Sequence, residues 1–139
     1  MFYGTFQHTV DAKGRMFVPA RLREVLGQEF YVTISGEDCL MVYSQEMWNS
    51  ALERLRSMSQ EDQMALRPLF ASAAQCVPDA QGRIPLSQDL REFAGLKKNV
   101  TIVGTGLYVQ IWDSEKYQPT ENTEREKENI KAAIRKLSF

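Results

Sequence analysis

The residues of this 139-residue chain best suited to chemistry are two aspartate and arginine pairs with the same spacing, Asp11 with Arg15 and Asp79 with Arg83. A guanidinium can straddle a phosphate or read O6 and N7 of guanine in the major groove, and a two-stranded ribbon is slim enough to enter that groove. The aspartate four residues earlier can hold the guanidinium in place, or the two can form nothing more than an ion pair within a hairpin. From the pattern alone these readings stand level, and both can hold together. Lys13, at the expected tip of the first turn, is a natural phosphate contact, although any exposed turn lysine looks the same. Arg21 and Arg23 fall on a short expected helix. Arg23 returns later as Arg91, which suits a structural ion pair at least as well as a nucleic-acid contact, so Arg21 is the better candidate of the two. Asp11 with Gly14, and Asp79 with Gly82, are read as the turn formers that orient the arginines.

Catalysis is a poorer use of the same residues. Asp11 and Asp79 can be imagined as a carboxylate pair with His8 as a base, yet each aspartate already has a turn signature that explains it. No P-loop, dinucleotide fingerprint or nucleophile elbow is present, so no enzyme and no small-molecule substrate are expected. Cys39 and Cys76 lack CxxC spacing, and His8 is the single histidine; no metal and no cofactor are expected, and the cysteines read as reduced core thiols. His8 itself reads as a core or interface residue on a strand. The opening residues lack both a basic start and a sustained apolar run, and no window reaches the roughly 20 apolar residues of a membrane helix. A cytoplasmic protein without membrane contact is therefore expected.

Net charge is −1, which taken alone argues against a nucleic-acid partner. Its distribution is more informative. Residues 1–28 hold Lys13, Arg15, Arg21 and Arg23 against Asp11 and Glu24, while acidic residues gather elsewhere, notably at Glu61 and Asp62. A weakly basic patch binds a polyanion well when several copies are presented together, so oligomerisation is expected to belong to the mechanism.

The elements that must position these residues come in duplicate. Asp11-Ala12-Lys13-Gly14-Arg15 returns as Asp79-Ala80-Gln81-Gly82-Arg83, a shift of 68, and Leu22-Arg23-Glu24, Gly27, Val32-Thr33-Ile34 and Gly36 return at that shift. After Gly36 the shift is 69, matching Leu40, Val42, Tyr43, Glu46 and Trp48 to Val109, Ile111, Trp112, Glu115 and Tyr117. Each copy reads β-β-α-β-β. In the first, a strand over 5–10 turns at Asp11 to Gly14 and returns over 15–18; Pro19 stops it, and a helix over 20–26 is closed by Gly27. A second hairpin joins 30–34 to 39–43. Trp48 and Tyr117 are expected to close the core. Ser44 is placed to cap a linker helix, a second linker helix is expected over 61–74, and Thr123 with Glu126 reads as a capping box after Pro119. Ile130, Ala133, Ile134 and Leu137 then form a narrow stripe that needs a surface to lie on, either this chain's body or a neighbouring subunit. The organisation expected is a first repeat at 1–48, a helical linker at 49–75, a second repeat at 76–117 and a C-terminal helix at 118–139.

Met1-Phe2-x-Gly4, His8, Asp11-x-Lys13-Gly14-Arg15 and Pro19-Ala20-x-Leu22-Arg23 resemble the opening of the MraZ family. Asp79-x-x-Gly82-Arg83-Ile84 and Leu90-Arg91-x-x-Ala94-Gly95-Leu96 are similar to its second half, so nearly the whole chain is covered. The resemblance implies an α+β, β-rich fold, the AbrB-like double-split β-barrel, in which two pseudo-repeats exchange hairpins and carry peripheral helices. It also implies a ring-forming homo-oligomer that binds repeated double-stranded DNA elements at promoters and represses the division and cell-wall gene cluster, its own gene included. Such a protein is nucleoid-associated and needs no cofactor, and its Asp-x-x-x-Arg hairpins face the DNA.

Two departures from the family pattern fall in the second copy. Ser87 stands where a proline matching Pro19 is usual, with Pro85 two positions earlier, and Gln81 stands opposite Lys13. Proline lacks a backbone donor, so Pro85 is expected to disturb its strand or keep it at an edge, leaving the second hairpin the weaker DNA contact. The rival reading is an AbrB-like protein-binding module such as an antitoxin. Against it stand the duplicated unit and a tail too helical to serve as a disordered inhibitor.

Overall fold

The computed structural model describes residues 1–117 and 124–137. The first copy supplies β1 (Phe2–Thr9), β2 (Arg15–Phe17), α1 (Ala20–Leu26), β3 (Phe30–Ile34) and β4 (Leu40–Ser44). Three helices follow: α2 (Gln45–Arg56), α3 (Gln60–Ala65) and α4 (Arg67–Ala71). The second copy supplies β5 (Ala74–Cys76), β6 (Arg83–Pro85), α5 (Gln88–Ala94), β7 (Asn99–Gly106) and β8 (Val109–Asp113), and α6 (Glu124–Lys136) ends the described chain. The architecture is mixed α+β and β-rich. Serine oxygens cap three of the helices, Ser44 accepting from the Met47 N–H, Ser59 from Asp62 and Ser87 from Leu90. Ser87 thus explains its departure from the family pattern, because a side-chain cap replaces the fixed φ that Pro19 brings to α1.

All strand pairings are antiparallel, and they cross between the copies. Six strands form one sheet in the order β1-β7-β8-β4-β3-β5, while β2 and β6 form a separate two-stranded ribbon. In the ribbon Arg15 stands opposite Pro85, Met16 opposite Ile84 and Phe17 opposite Arg83. In the sheet Leu40 stands opposite Ile111, Met41 opposite Gln110 and Val42 opposite Val109. With the shifts of 68 and 69 these registers are two-fold symmetric, so one pseudo-two-fold axis passes through Met16 with Ile84 and through Met41 with Gln110. Both copies fill one core, where Phe2, Met16, Leu22, Phe30 and Leu40 are buried with Ile84, Leu90, Val100, Ile102 and Ile111.

Several expectations are corrected. Strand 15–18 does not run back along strand 5–10. The turn closes, with the Asp11 N–H donating to the Arg15 carbonyl, but beyond it only Val10 and Met16 bridge. The strands part because β1 finds a full-length partner in β7, and β2 finds one in β6. No closed barrel forms among the described residues. The single helix expected over 61–74 is two short ones. Pro68 has no N–H to return to the Met64 carbonyl, which breaks the ladder, and β5 already begins at Ala74. Trp48 is buried, stacked on Tyr31 at 4.7 Å and tilted against Tyr43 and Phe70, whereas Tyr117 is half-buried against Trp112. The stripe on α6 does not lie on the chain's own body, for Ile130, Ile134 and Leu137 are all exposed. Pro119 and Thr123 lie outside the described residues.

The copies also differ where they share a glycine. At Gly104, opposite Gly4, a Cβ would stand 2.5 Å from the Tyr3 nitrogen and 2.7 Å from the Phe2 carbonyl carbon, whereas at the equivalent Gly36 it would meet nothing within 4 Å. Gly104→Ala is expected to lower stability by about 2 kcal/mol, because one of the two paired backbones must move. Gly36→Ala should shift it by less than about 0.5 kcal/mol. Urea midpoints of the two variants check the contrast.

Candidate nucleic-acid interface

The ribbon presents one face to the core and the other outward, since successive strand residues alternate. Met16 and Ile84 point inward and are fully buried; Arg15, Phe17, Arg83 and Pro85 share the outer face. As β6 has β2 for its partner, Pro85 sits in an edge strand, where its missing N–H costs no ladder bond.

The two turns are near copies in atomic detail. Asp11 Oδ1 accepts from the Lys13 and Arg15 backbone N–H groups at 2.9 Å each, and Oδ2 accepts from Arg15 Nε at 2.9 Å. Asp79 Oδ1 accepts from the Gln81 and Arg83 N–H groups at 2.9 Å each, and Oδ2 from Arg83 Nε at 3.0 Å. Gly14 and Gly82 close the turns at φ of 77° and 79°, a conformation that disfavours any side chain. Each arginine spends only Nε on its aspartate, which leaves its terminal amino groups for an outside acceptor. Arg83 Nη1 also lies 3.9 Å from Asp11 Oδ2, so one carboxylate faces both guanidinium groups.

The turns are locked to each other. The Leu86 N–H donates to the Gly14 carbonyl and the Val18 N–H to the Gly82 carbonyl, one copy to the other in each case. Arg23 Nε donates to the Val18 carbonyl at 2.8 Å and Arg91 Nε to the Leu86 carbonyl at 3.0 Å. A Cβ on Gly82 would fall 2.9 Å from Arg23 Cζ, and one on Gly14 would fall 3.2 Å from Arg91 Cζ. Arg23 also sits over the Phe17 ring, 5.5 Å from its centroid, and the ring of His8 meets Phe17 edge-on at 5.0 Å. Arg23 and Arg91 are therefore clamps on backbone carbonyls rather than members of an ion pair. Their reach into the opposite copy went unread in the sequence, where the signal was available: arginine and turn glycine recur at one common shift.

Of the sequence candidates, the structure brings together Arg15, Arg83, Asp11, Asp79, Gly14 and Gly82, with Lys13 exposed on the first turn. Arg21 stands apart. It is exposed on α1, and its Nη1 would lie 4.0 Å from a Cβ on Gly4, near the start of β1, whereas the first turn follows the far end of that strand. Its counterpart in the second copy is Asp89, so it is no part of the duplicated constellation. Cys39 and Cys76 are buried and free; burial pushes both thiols up, Cys76 to about 11. Among the described residues no cluster of His, Cys, Asp and Glu could hold a metal, and no helix is long and apolar enough to cross a membrane.

The carboxylates of Asp11 and Asp79 are held below their ordinary pKa, first by the backbone N–H groups of Arg15 and Arg83, with smaller contributions from the guanidinium groups and the second N–H in each turn. Burial works the other way and is outweighed. A group with a lowered folded pKa stabilises the fold above its unfolded value of 3.8, and that contribution disappears as pH falls through the folded value. Acidification from about pH 5 to about pH 2.5 should therefore destabilise the native protein more than an Asp11→Asn/Asp79→Asn variant. Urea unfolding at the two pH values measures this, and equal losses would show that the turns do not depend on ionised aspartate.

Two segments, residues 1–67 and 69–139, each match the family described as "MraZ protein, putative antitoxin-like". Over 121 residues the chain is 45% identical to the transcriptional regulator MraZ of Acetivibrio thermocellus, with 85% of each chain covered. It is 46% identical over 118 residues to that of Carboxydothermus hydrogenoformans, covering 83% of this chain and 82% of the relative. With that of Heliobacterium modesticaldum it shares 44% over 120 residues, 84% of each.

Proposed function

The chain belongs to the MraZ family, and from that premise we propose that it is a sequence-specific DNA-binding transcriptional regulator that uses the outer face of the β2 and β6 ribbon. One observation carries the reading: two arginines from equivalent turns stand together on the outer, part-exposed ribbon face, each held through Nε by its own aspartate, with Arg83 Nη1 also 3.9 Å from Asp11 Oδ2. A fixed guanidinium loses little conformational freedom on meeting a phosphate or guanine, and the ribbon fits a major groove. Lys13 adds a phosphate contact on the first turn, while Gln81 offers a hydrogen bond but no charge. Arg21 is at most a contact outside this constellation.

The finer reading follows the family. The exchanged strands constitute the double-split arrangement, with the repeats at 1–48 and 76–117, the helical linker at 49–75 and the C-terminal helix at 118–139. Several copies assemble, in a ring, and engage promoter repeats ahead of the division and cell-wall genes, repressing that cluster and the protein's own gene. The protein acts in the cytoplasm on nucleoid DNA and carries out no catalysis. The antitoxin-like reading, in which a protein is the main partner, has its support in the family description alone.

Binding to DNA from upstream of its own gene, titrated with salt beside a scrambled fragment, tests the proposal. Tight and salt-sensitive binding to the native fragment alone is expected. Arg15→Ala and Arg83→Ala should each weaken it by about tenfold to a hundredfold, and Lys13→Ala should flatten the salt dependence by about one unit of slope. Unchanged affinity in both arginine variants, with folding intact, would remove the ribbon face from the mechanism.

A further inference from the structure

The two turns of the ribbon share a backbone and differ at the tip. Lys13 and Gln81 occupy equivalent places, each with its N–H held at 2.9 Å by Oδ1 of the turn aspartate, and both are exposed. Among the described residues the side-chain amide of Gln81 has no hydrogen-bond partner, and the ammonium of Lys13 has no carboxylate. Charge separates the two sides of the pseudo-two-fold axis further. Residues 10–27 carry four basic side chains against two acidic ones, and the equivalent residues 78–95 carry two against three. The exchange of Lys13 for Gln81 and of Arg21 for Asp89 makes the whole difference. Attraction to phosphate therefore belongs to the first side, and a contact from the second turn must draw its energy from elsewhere.

A glutamine side chain presents a donor beside an acceptor. In the major groove that pair complements adenine, whose N6 donates and N7 accepts, whereas guanine offers two acceptors there, O6 and N7, which suit lysine or arginine. Beneath Gln81 the backbone is fixed, with Gly82 at φ of 79° and its N–H donating to the Asp79 carbonyl. Only the glutamine side chain is then ordered on binding, which keeps the entropic cost small. The turns stand at opposite ends of the ribbon, since the Leu86 N–H donates to the Gly14 carbonyl and the Val18 N–H to the Gly82 carbonyl. Their near ends are thus separated by the stretch 14–18, about 13 Å at 3.3 Å per residue, which along a groove is the rise of about four base pairs.

We propose that Gln81 reads one adenine in the major groove, about four to six base pairs from the site that Lys13 and Arg15 anchor. Gln81 does so only where the ribbon face is the DNA-binding surface, as proposed for the function of the chain. The two turns then have separate tasks: the first holds the backbone of the duplex, and the second selects a base.

Selection of bound sequences from a pool of randomised duplexes tests this, with the full native chain compared with Gln81→Ala, Gln81→Lys and Lys13→Ala. The native protein should enrich adenine at one position, and replacing that base pair should weaken its binding by about tenfold to a hundredfold. Gln81→Ala should accept all four bases there nearly equally, with preferences elsewhere, salt dependence and thermal midpoint as in the native protein. Gln81→Lys should lose the adenine preference and steepen the salt dependence by about one unit of slope. Lys13→Ala should weaken binding on every sequence and leave the adenine in place. An adenine preference retained in Gln81→Ala, a Gln81-dependent preference for another base, or a loss of affinity in Gln81→Ala that is equal on all sequences would overturn the assignment while leaving the ribbon as the DNA-binding face. A native protein that enriches no sequence would overturn both.

Discussion

The exchange of strands across the pseudo-two-fold axis is the constraint on which the remaining structure depends. Neither copy can complete itself: β1 lies along β7, β2 along β6, and β4 along β8. The core is accordingly shared, with Met16 and Ile84 meeting at the axis beneath the ribbon. Because the bonds from Leu86 to Gly14 and from Val18 to Gly82 are part of that exchange, the spacing of the two turns is set by the same contacts that hold the fold. The outer face of the ribbon is thereby made rigid by packing and does not rely on loop conformation.

Within that frame the aspartates solve an electrostatic problem. Two arginines near one another repel, and their face concentrates positive charge. Asp11 and Asp79 neutralise part of that field, each holding its own arginine through Nε, and Asp11 also faces Arg83 Nη1 at 3.9 Å. The arginines are thereby held in a fixed geometry on the ribbon. At part-exposed positions such pairs contribute little to stability, so orientation is the larger part of their role.

Much of this was legible in the sequence because the relevant signals are local or repeated. Helix α1, strand β3 and the Asp-x-x-Gly turns follow from spacing, proline and glycine, and the recurrence at 68 and 69 residues disclosed the duplication, though not the registers symmetric about Met16 with Ile84 and Met41 with Gln110. What local signals could not disclose is partner choice. A strand of the right pattern after a tight turn looks like the second half of a hairpin, and only the pairing of β2 with β6 shows otherwise. The packing of Arg23 against Gly82 and of Arg91 against Gly14 was hidden for the same reason, since those glycines belong to the opposite copy, whereas the carbonyls they clamp are their own. Pro68, a local signal, divides an otherwise helical pattern into α3 and α4.

The helices α2 to α4 join the copies covalently, and this has a consequence for how the two sides of the axis can change. In a dimer of identical chains every substitution lands on both sides at once, so a change useful on one side must also be tolerated on the other. Fusion removes that coupling. Lys13 faces Gln81 across the axis, Pro19 faces Ser87, Arg21 faces Asp89, and the open surroundings of Gly36 face the crowded ones of Gly104. The symmetric contacts that hold the fold are kept while each half accumulates its own history, and the molecule gains a direction that a strict two-fold could not possess.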